Sequence, residues 1–198
     1  MNSEHDSSCK PGKTLLAEFG SLWAEVEALW ERHQEEPAFH GYVSADYQAV
    51  YDSLAQLKGR ALTVLEWGSG LGVVTIMASR MGFEAYGIEA EASLVEFSEE
   101  LALGYGPKAK FAQGSFIPDQ FQWNPTDGDN VIRTVVDAAS AYNDLEMEIR
   151  DFDLIYSYPW PNERVLYHHI LREFACPEAL FLCFDLRAGI QLVQVKDL

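Results

Sequence analysis

The stretch VLEWGSGLG, residues 64–72, decides how the chain is read. The residues leading into it, ALTVLEW, have the apolar character of a strand, and those leading out, GVVTIMASRM, read as a helix. Gly68, Gly70 and Gly72 fall at the junction. Glycines there permit a tight turn and a close approach of backbone to a ligand. The helix N-terminus beyond them offers free N–H groups to something negative or polar. Glu66 stands at the carboxyl end of the strand, where open α/β sheets bind their ligands.

The alternation continues on either side. FEAYGIE is a second strand, ending in Glu89, and EASLVEFSEELAL is a helix that Gly104, Gly106 and Pro107 stop. AKFAQG reads as a third strand and DFDLIYSY as a fourth. NERVLYHHILREFA is a helix with Leu166, Ile170, Leu171 and Phe174 inward, and EALFLCFD is a fifth strand. IQLVQV, after the turn at Ala188 and Gly189, is a short sixth strand. It returns antiparallel, because too few residues intervene for a crossover. Strand–helix alternation of this kind means an α/β fold with a parallel sheet and right-handed crossovers. Pro118, Pro125 and the Asp127–Gly128 pair make residues 116–130 a loop, and residues 131–150 are expected to be helical.

Ahead of the sheet, residues 1–12 are polar and read as a flexible tail, and residues 13–60 as a helical cap. In the first helix Leu15, Leu16, Phe19, Leu22, Trp23, Val26, Leu29 and Trp30 form one apolar stripe, ended before Pro37. In the second, Ser44 is the expected N-cap, Tyr47, Val50, Tyr51, Leu54 and Leu57 are the inward face, and Lys58–Gly59 closes it.

At 198 residues the chain is about one domain. With 48% hydrophobic residues it can bury a core of its own. Fourteen Lys and Arg against 31 Asp and Glu give a net charge of −17. That disfavours nucleic acid, whose affinity rests on cations neutralising phosphates, and an anionic membrane surface. No apolar run reaches the ~18 residues of a membrane span, and the first residues lack the apolar core of a signal peptide. Three cysteines, Cys9, Cys176 and Cys183, without metal-ligand spacing point to a reducing, cytoplasmic setting and to no metal site.

Two nucleotide motifs are not matched. A dinucleotide fingerprint needs its third glycine where Val73 stands, and a phosphate-binding P-loop needs Gly-Lys-Ser/Thr. The order E-x-G-x-G-x-G instead resembles motif I of the class I S-adenosylmethionine-dependent methyltransferases, over residues 61–186. The resemblance implies a Rossmann-like three-layer sandwich. Its mostly parallel sheet would have the order 3-2-1-4-5 plus the short antiparallel strand, with an abbreviated C-terminus and two N-terminal helices. Residues 61–198 would then be the S-adenosylmethionine-binding domain. Glu66 would help hold the methionine amino group, Gly68, Ser69, Gly70 and Gly72 would underlie the cofactor, Glu89 with Ala90 would meet the ribose, and Gly114 and Ser115 the adenine. Many members carry Asp where this chain has Ser115.

Ser157, Tyr158, Pro159 and Trp160 stand where the family keeps motif IV, beside the transferable methyl, and are the candidate acceptor-binding residues. They lack the Asn or Asp and the adjacent prolines of the nitrogen-methylating enzymes. GYVSADYQAVYDSL followed by motif I is also similar to small lysine methyltransferases, with Ser44 where those have proline. Tyr42 and Tyr47 either close over the cofactor or pack. Glu163, His168 and Asp185 are candidates for a general base, and no spacing selects one. The implied activity is methyl transfer to a small molecule or a protein side chain. Two further readings stay open, a non-catalytic nucleoside-binding module and an NAD-dependent oxidoreductase. Trp23 and Trp30 on the first helix are candidates for a homodimer face.

Overall fold

A computed structural model describes residues 11–122, 134–135, 138–160, 162–185 and 188–198. Chain order is α1 (Pro11–His33), α2 (Tyr47–Leu57), β1 (Thr63–Trp67), α3 (Val73–Met81), β2 (Glu84–Glu89), α4 (Ala92–Tyr105), β3 (Lys110–Gln113), α5 (Tyr142–Leu145), β4 (Leu154–Ser157), α6 (Arg164–Phe174), β5 (Leu180–Asp185) and β6 (Gly189–Gln194). The expected tail lies outside the described residues, except for Pro11 and Gly12, which begin α1.

The sheet order is β3-β2-β1-β4-β5-β6. β1 runs parallel to β2 and β4, β2 to β3, and β4 to β5; β6 returns antiparallel along β5. This is the three-layer, Rossmann-like α/β arrangement expected, with its antiparallel last strand, although β6 at six residues is as long as β2 and β5 rather than short. Asp153 fixes the starts of β1 and β4 by accepting from the amides of Leu62 (2.7 Å) and Thr63 (3.1 Å).

One face of the sheet is covered by α1 to α4. Phe19, Leu22 and Val26 of α1 and Val50, Leu54 and Leu57 of α2 are buried with Val73, Ile76 and Met77 of α3 in one apolar cluster. The other face carries Leu166, Ile170 and Leu171 of α6 with Trp67, Phe116 and Phe152. The first-helix stripe is inward as expected at Phe19, Leu22, Val26 and Leu29. Trp23 stacks on Tyr47 at 6.1 Å, while Trp30 is exposed.

Two local expectations are corrected. Asp46, not Ser44, caps α2: its Oδ1 accepts from the Ala49 amide at 3.0 Å. A capping oxygen must lie within reach of the second or third helical amide, and Ser44 is two residues too early. Nor is there a continuous helix over residues 131–150. Ser115 N donates to Ala139 O and Ala141 N to Ser115 O, both at 2.9 Å, so this stretch pairs as an extended bridge with the chain leaving β3. Among the described residues of this stretch, Tyr142–Leu145 and a 3-10 turn at Ile149–Asp151 are helical, separated by Glu146 in the left-handed region (φ 54°). Residues 131–133 and 136–137 lie outside the described residues. So do 123–130 of the expected loop.

Candidate functional site

The carboxyl ends of β1, β2 and β4 converge on the glycine turn. Gly68 (φ 68°), Gly70 (54°) and Gly72 (71°) are all left-handed. Only glycine adopts that conformation without strain. Gly72 is also the N-cap of α3, and its amide donates to Ser69 O at 2.7 Å. Contacts close the turn from both sides: a Cβ at Gly72 would stand 2.6 Å from the Phe111 ring, and one at Gly70 2.9 Å from the Tyr42 ring.

Glu89 is tied directly to this turn. Its Oε2 accepts from the Gly70 amide at 2.8 Å, and its Oε1 from the amides of Ala90 (2.8 Å) and Glu91 (3.1 Å). The acid of the second strand and the middle glycine of the turn are thus one hydrogen-bonded unit. A carboxylate has about four lone-pair directions, so it retains capacity for a ligand's hydroxyls.

Glu66 is buried, 5% exposed, beneath the turn. Its Oε2 accepts from both the amide (2.9 Å) and the hydroxyl (2.6 Å) of Thr75 on α3. Burial pushes its carboxyl up to about 8, against the Thr75 hydrogen bonds, with the negative charge of Glu89 adding to the rise. Tyr42 and Tyr47 share a 2.7 Å hydroxyl–hydroxyl hydrogen bond.

Beyond β3, Gly114 is left-handed (φ 146°) and donates to Glu89 O at 2.8 Å. Ser115 is buried, and its hydroxyl donates to Val135 O (2.8 Å) while accepting from the Ile117 amide (3.1 Å). At the end of β4, Ser157 donates to Trp67 O at 3.2 Å, which brings the Ser-Tyr-Pro-Trp segment against the end of β1. Tyr158 meets Phe184 edge-on at 5.0 Å, Pro159 is buried and Trp160 is half-buried. Trp67 stacks on Phe116 at 4.8 Å and donates from Nε1 to Tyr142 OH at 2.8 Å.

The three candidate bases are all engaged. Glu163 is buried and accepts from the amide and hydroxyl of Thr134. Asp185 pairs with Arg164 at 3.2 Å. His168 lies edge-on to Phe181, and burial, then the Arg164 charge, lowers its pKa. Among the described residues, no three His, Cys, Asp or Glu come together to hold a metal ion, and no helix is long and apolar enough to cross a membrane.

Thr75 and Tyr156 are the site residues that motif reasoning missed. The available signal was a polar side chain inside an apolar element: Thr75 in VVTIMAS and Tyr156 in LIYS.

No protein-family profile matches the chain, and no curated protein sequence does. Solved structures match it in fold. An O-methyltransferase from Bacillus cereus in complex with SAH superposes with a TM-score of 0.52 and 14% identity, covering 84% of this chain and 65% of that one. A putative caffeoyl-CoA O-methyltransferase from Staphylococcus aureus superposes at 0.51 with 10% identity, covering 81% and 71%. The chain therefore has the fold of the class I S-adenosylmethionine-dependent methyltransferases. It spans about two thirds of the length of the Bacillus chain, 65%.

Proposed function

We propose that this protein binds S-adenosylmethionine through Glu66, Gly68, Ser69, Gly70, Gly72, Glu89, Ala90, Gly114 and Ser115 and transfers its methyl group to a small molecule or a protein side chain. The observation that carries the reading is the Gly70–Glu89 hydrogen bond at 2.8 Å. It ties a left-handed glycine turn after β1 to a carboxylate at the end of β2. β1 lies between β2 and β4, where the strand order reverses, and open α/β sheets bind ligands there. Nearby Glu66, Glu89 and Asp46 are acidic, which suits a sulfonium and disfavours a pyrophosphate. Gly68, Ser69, Gly70 and Gly72 underlie the nucleoside, Glu89 with Ala90 meets the ribose, and Gly114 with Ser115 borders the adenine. The cofactor supplies an activated methyl. The chain's task is to align the acceptor with it, and alignment alone lowers the barrier by several kcal/mol. Ser157, Tyr158, Pro159 and Trp160 form the acceptor side in this reading.

Thermal-shift titration with S-adenosylhomocysteine, S-adenosylmethionine, NAD and ATP in parallel tests it. At about 100 times its dissociation constant a ligand adds ~2.7 kcal/mol, roughly 5–11 °C for a domain of this size. The two sulfur nucleosides are expected to give that shift, and Glu89→Ala to lose most of it. A response to NAD alone would favour the oxidoreductase. A shift without turnover on any amine, hydroxyl or carboxyl acceptor would leave a binding module.

A further inference from the structure

Among the described residues, Trp23 Nε1, Ser69 Oγ, Tyr156 OH and Arg164 Nε are buried polar atoms without a hydrogen-bond partner. A buried hydroxyl left unpaired carries a desolvation penalty, so each such group calls for a reason. Ser69 and Tyr156 are nearly inaccessible, at 5% and 2% exposure, and they flank the same residue. Tyr156 on β4 is the register partner of Glu66 on β1, so their side chains share one face of the sheet. On the other side, Gly87 on β2 is the register partner of Glu66, and Ser69 leans over it. A Cβ at Gly87 would meet Ser69 Oγ at 2.9 Å.

Glu66 and Tyr156 therefore stand side by side at the carboxyl ends of β1 and β4, and Ser69, in the glycine turn itself, continues the row over Gly87 of β2. The row has spare hydrogen-bonding capacity throughout. Both Thr75 hydrogen bonds fall on one oxygen of Glu66, and the other oxygen accepts none from the described residues. The Tyr42 ring roofs Gly70, its hydroxyl held by Tyr47, and the charge of Glu66 bears on the phenols of Tyr42, Tyr47 and Tyr156. Asp46 also bears on Tyr156. Among the described residues, the carboxylates that act on Tyr156 are thus Glu66 and Asp46. A phosphate would be repelled there, whereas an ammonium could donate to Glu66 and to hydroxyl oxygens together.

We propose that Tyr156 is a further cofactor-positioning residue: its hydroxyl, with Glu66, receives the amino-acid end of the cofactor and makes the site selective for S-adenosyl amino acids over truncated nucleosides. This rests on the cofactor reading above. A preformed hydroxyl without an internal partner supplies a hydrogen bond to the ligand without first breaking one within the protein.

The test compares calorimetric binding of S-adenosylhomocysteine with that of 5′-methylthioadenosine, which keeps the adenosine and sulfur but lacks the amino acid. Wild type and Tyr156→Phe are titrated with both. Tyr156→Phe retains the ring and deletes a hydroxyl without a hydrogen-bond partner among the described residues, so its unliganded melting temperature is expected to equal or exceed that of wild type. A hydrogen bond to a charged ligand group corresponds to about a ten- to a hundredfold change in affinity. The expected result is a loss of that size for S-adenosylhomocysteine, with 5′-methylthioadenosine unchanged within about twofold. Equal losses for both ligands, or no loss for either, overturn the assignment while leaving the cofactor reading intact. If wild type binds neither ligand, the cofactor reading itself fails and the assignment goes with it.

Discussion

Glu66 is held at a cost that a pH titration can expose. Its carboxyl is pushed from the usual 4.5 up to about 8 by burial. Below pH 4.5 it is protonated in both folded and unfolded chains and makes no difference to stability. As pH rises, the unfolded chain ionises first, so the folded state binds the extra proton and loses stability relative to the unfolded one. The loss accumulates between pH 4.5 and 8 and then levels off, reaching on the order of 4–5 kcal/mol. Glu66→Gln keeps an acceptor for Thr75 but cannot ionise. Urea denaturation from pH 4.5 to 9 is therefore expected to show wild type losing stability against Glu66→Gln across that window. Parallel stability curves would mean that Glu66 ionises freely in the fold. The same charge penalty bears on function: a cationic group arriving beside Glu66 would favour its ionised form, so ligand binding and release of its proton are linked.

The glycine turn makes a sharper prediction at the scale of the element, because its glycines are required for different reasons. Gly68 has φ 68° but nothing within 4 Å of a Cβ. Gly68→Ala bears only the left-handed backbone penalty, roughly 1–2 kcal/mol. Gly72 has φ 71°, and its Cβ would drive into the Phe111 ring at 2.6 Å and Ser98 Cβ at 2.8 Å. Gly72→Ala adds overpacking of ~1–3 kcal/mol to the same penalty. Thermal or urea unfolding should therefore rank Gly72→Ala as the worse by a kcal/mol or more, and the reverse order would refute the packing described. This turn was legible from sequence because three glycines between a strand and a helix leave few alternatives. Asp46 was missed as a cap since Ser44 and Asp46 are both capping residues and only backbone geometry chooses between them. The misread helix over 131–150 has a different cause. Its local propensity was overridden by long-range pairing of residues 139–141 with Ser115, a contact that no window of neighbouring residues contains. Glu66 and Ser69 were legible in the glycine segment, but the placing of Tyr156 beside Glu66 was hidden for the same reason: the two lie 90 residues apart, and only the strand register aligns them.

For the whole molecule, the question is whether α1 and α2 form a cap laid on a finished domain or part of the domain's core. The burial pattern favours the second. Phe19, Leu22, Val50 and Leu54 are 0% exposed, and Val26 and Leu57 are 1% exposed. They are shared with α3, the helix that the glycine turn starts, rather than with one another alone. Fully burying such a side chain contributes about 1.5–3 kcal/mol. Losing six of them removes on the order of 10 kcal/mol or more, comparable to the entire ~5–15 kcal/mol stability of a typical domain. It would also uncover α3 and remove Tyr42 from above Gly70. A chain beginning at Ala61 would keep all six strands and the glycine turn. It is nonetheless expected to show no cooperative thermal transition, to bind a hydrophobic dye strongly, and to give no shift with S-adenosylhomocysteine. A sharp transition in that truncated chain, with ligand response retained, would establish residues 13–60 as a separable cap and show that the sheet with its remaining helices folds alone.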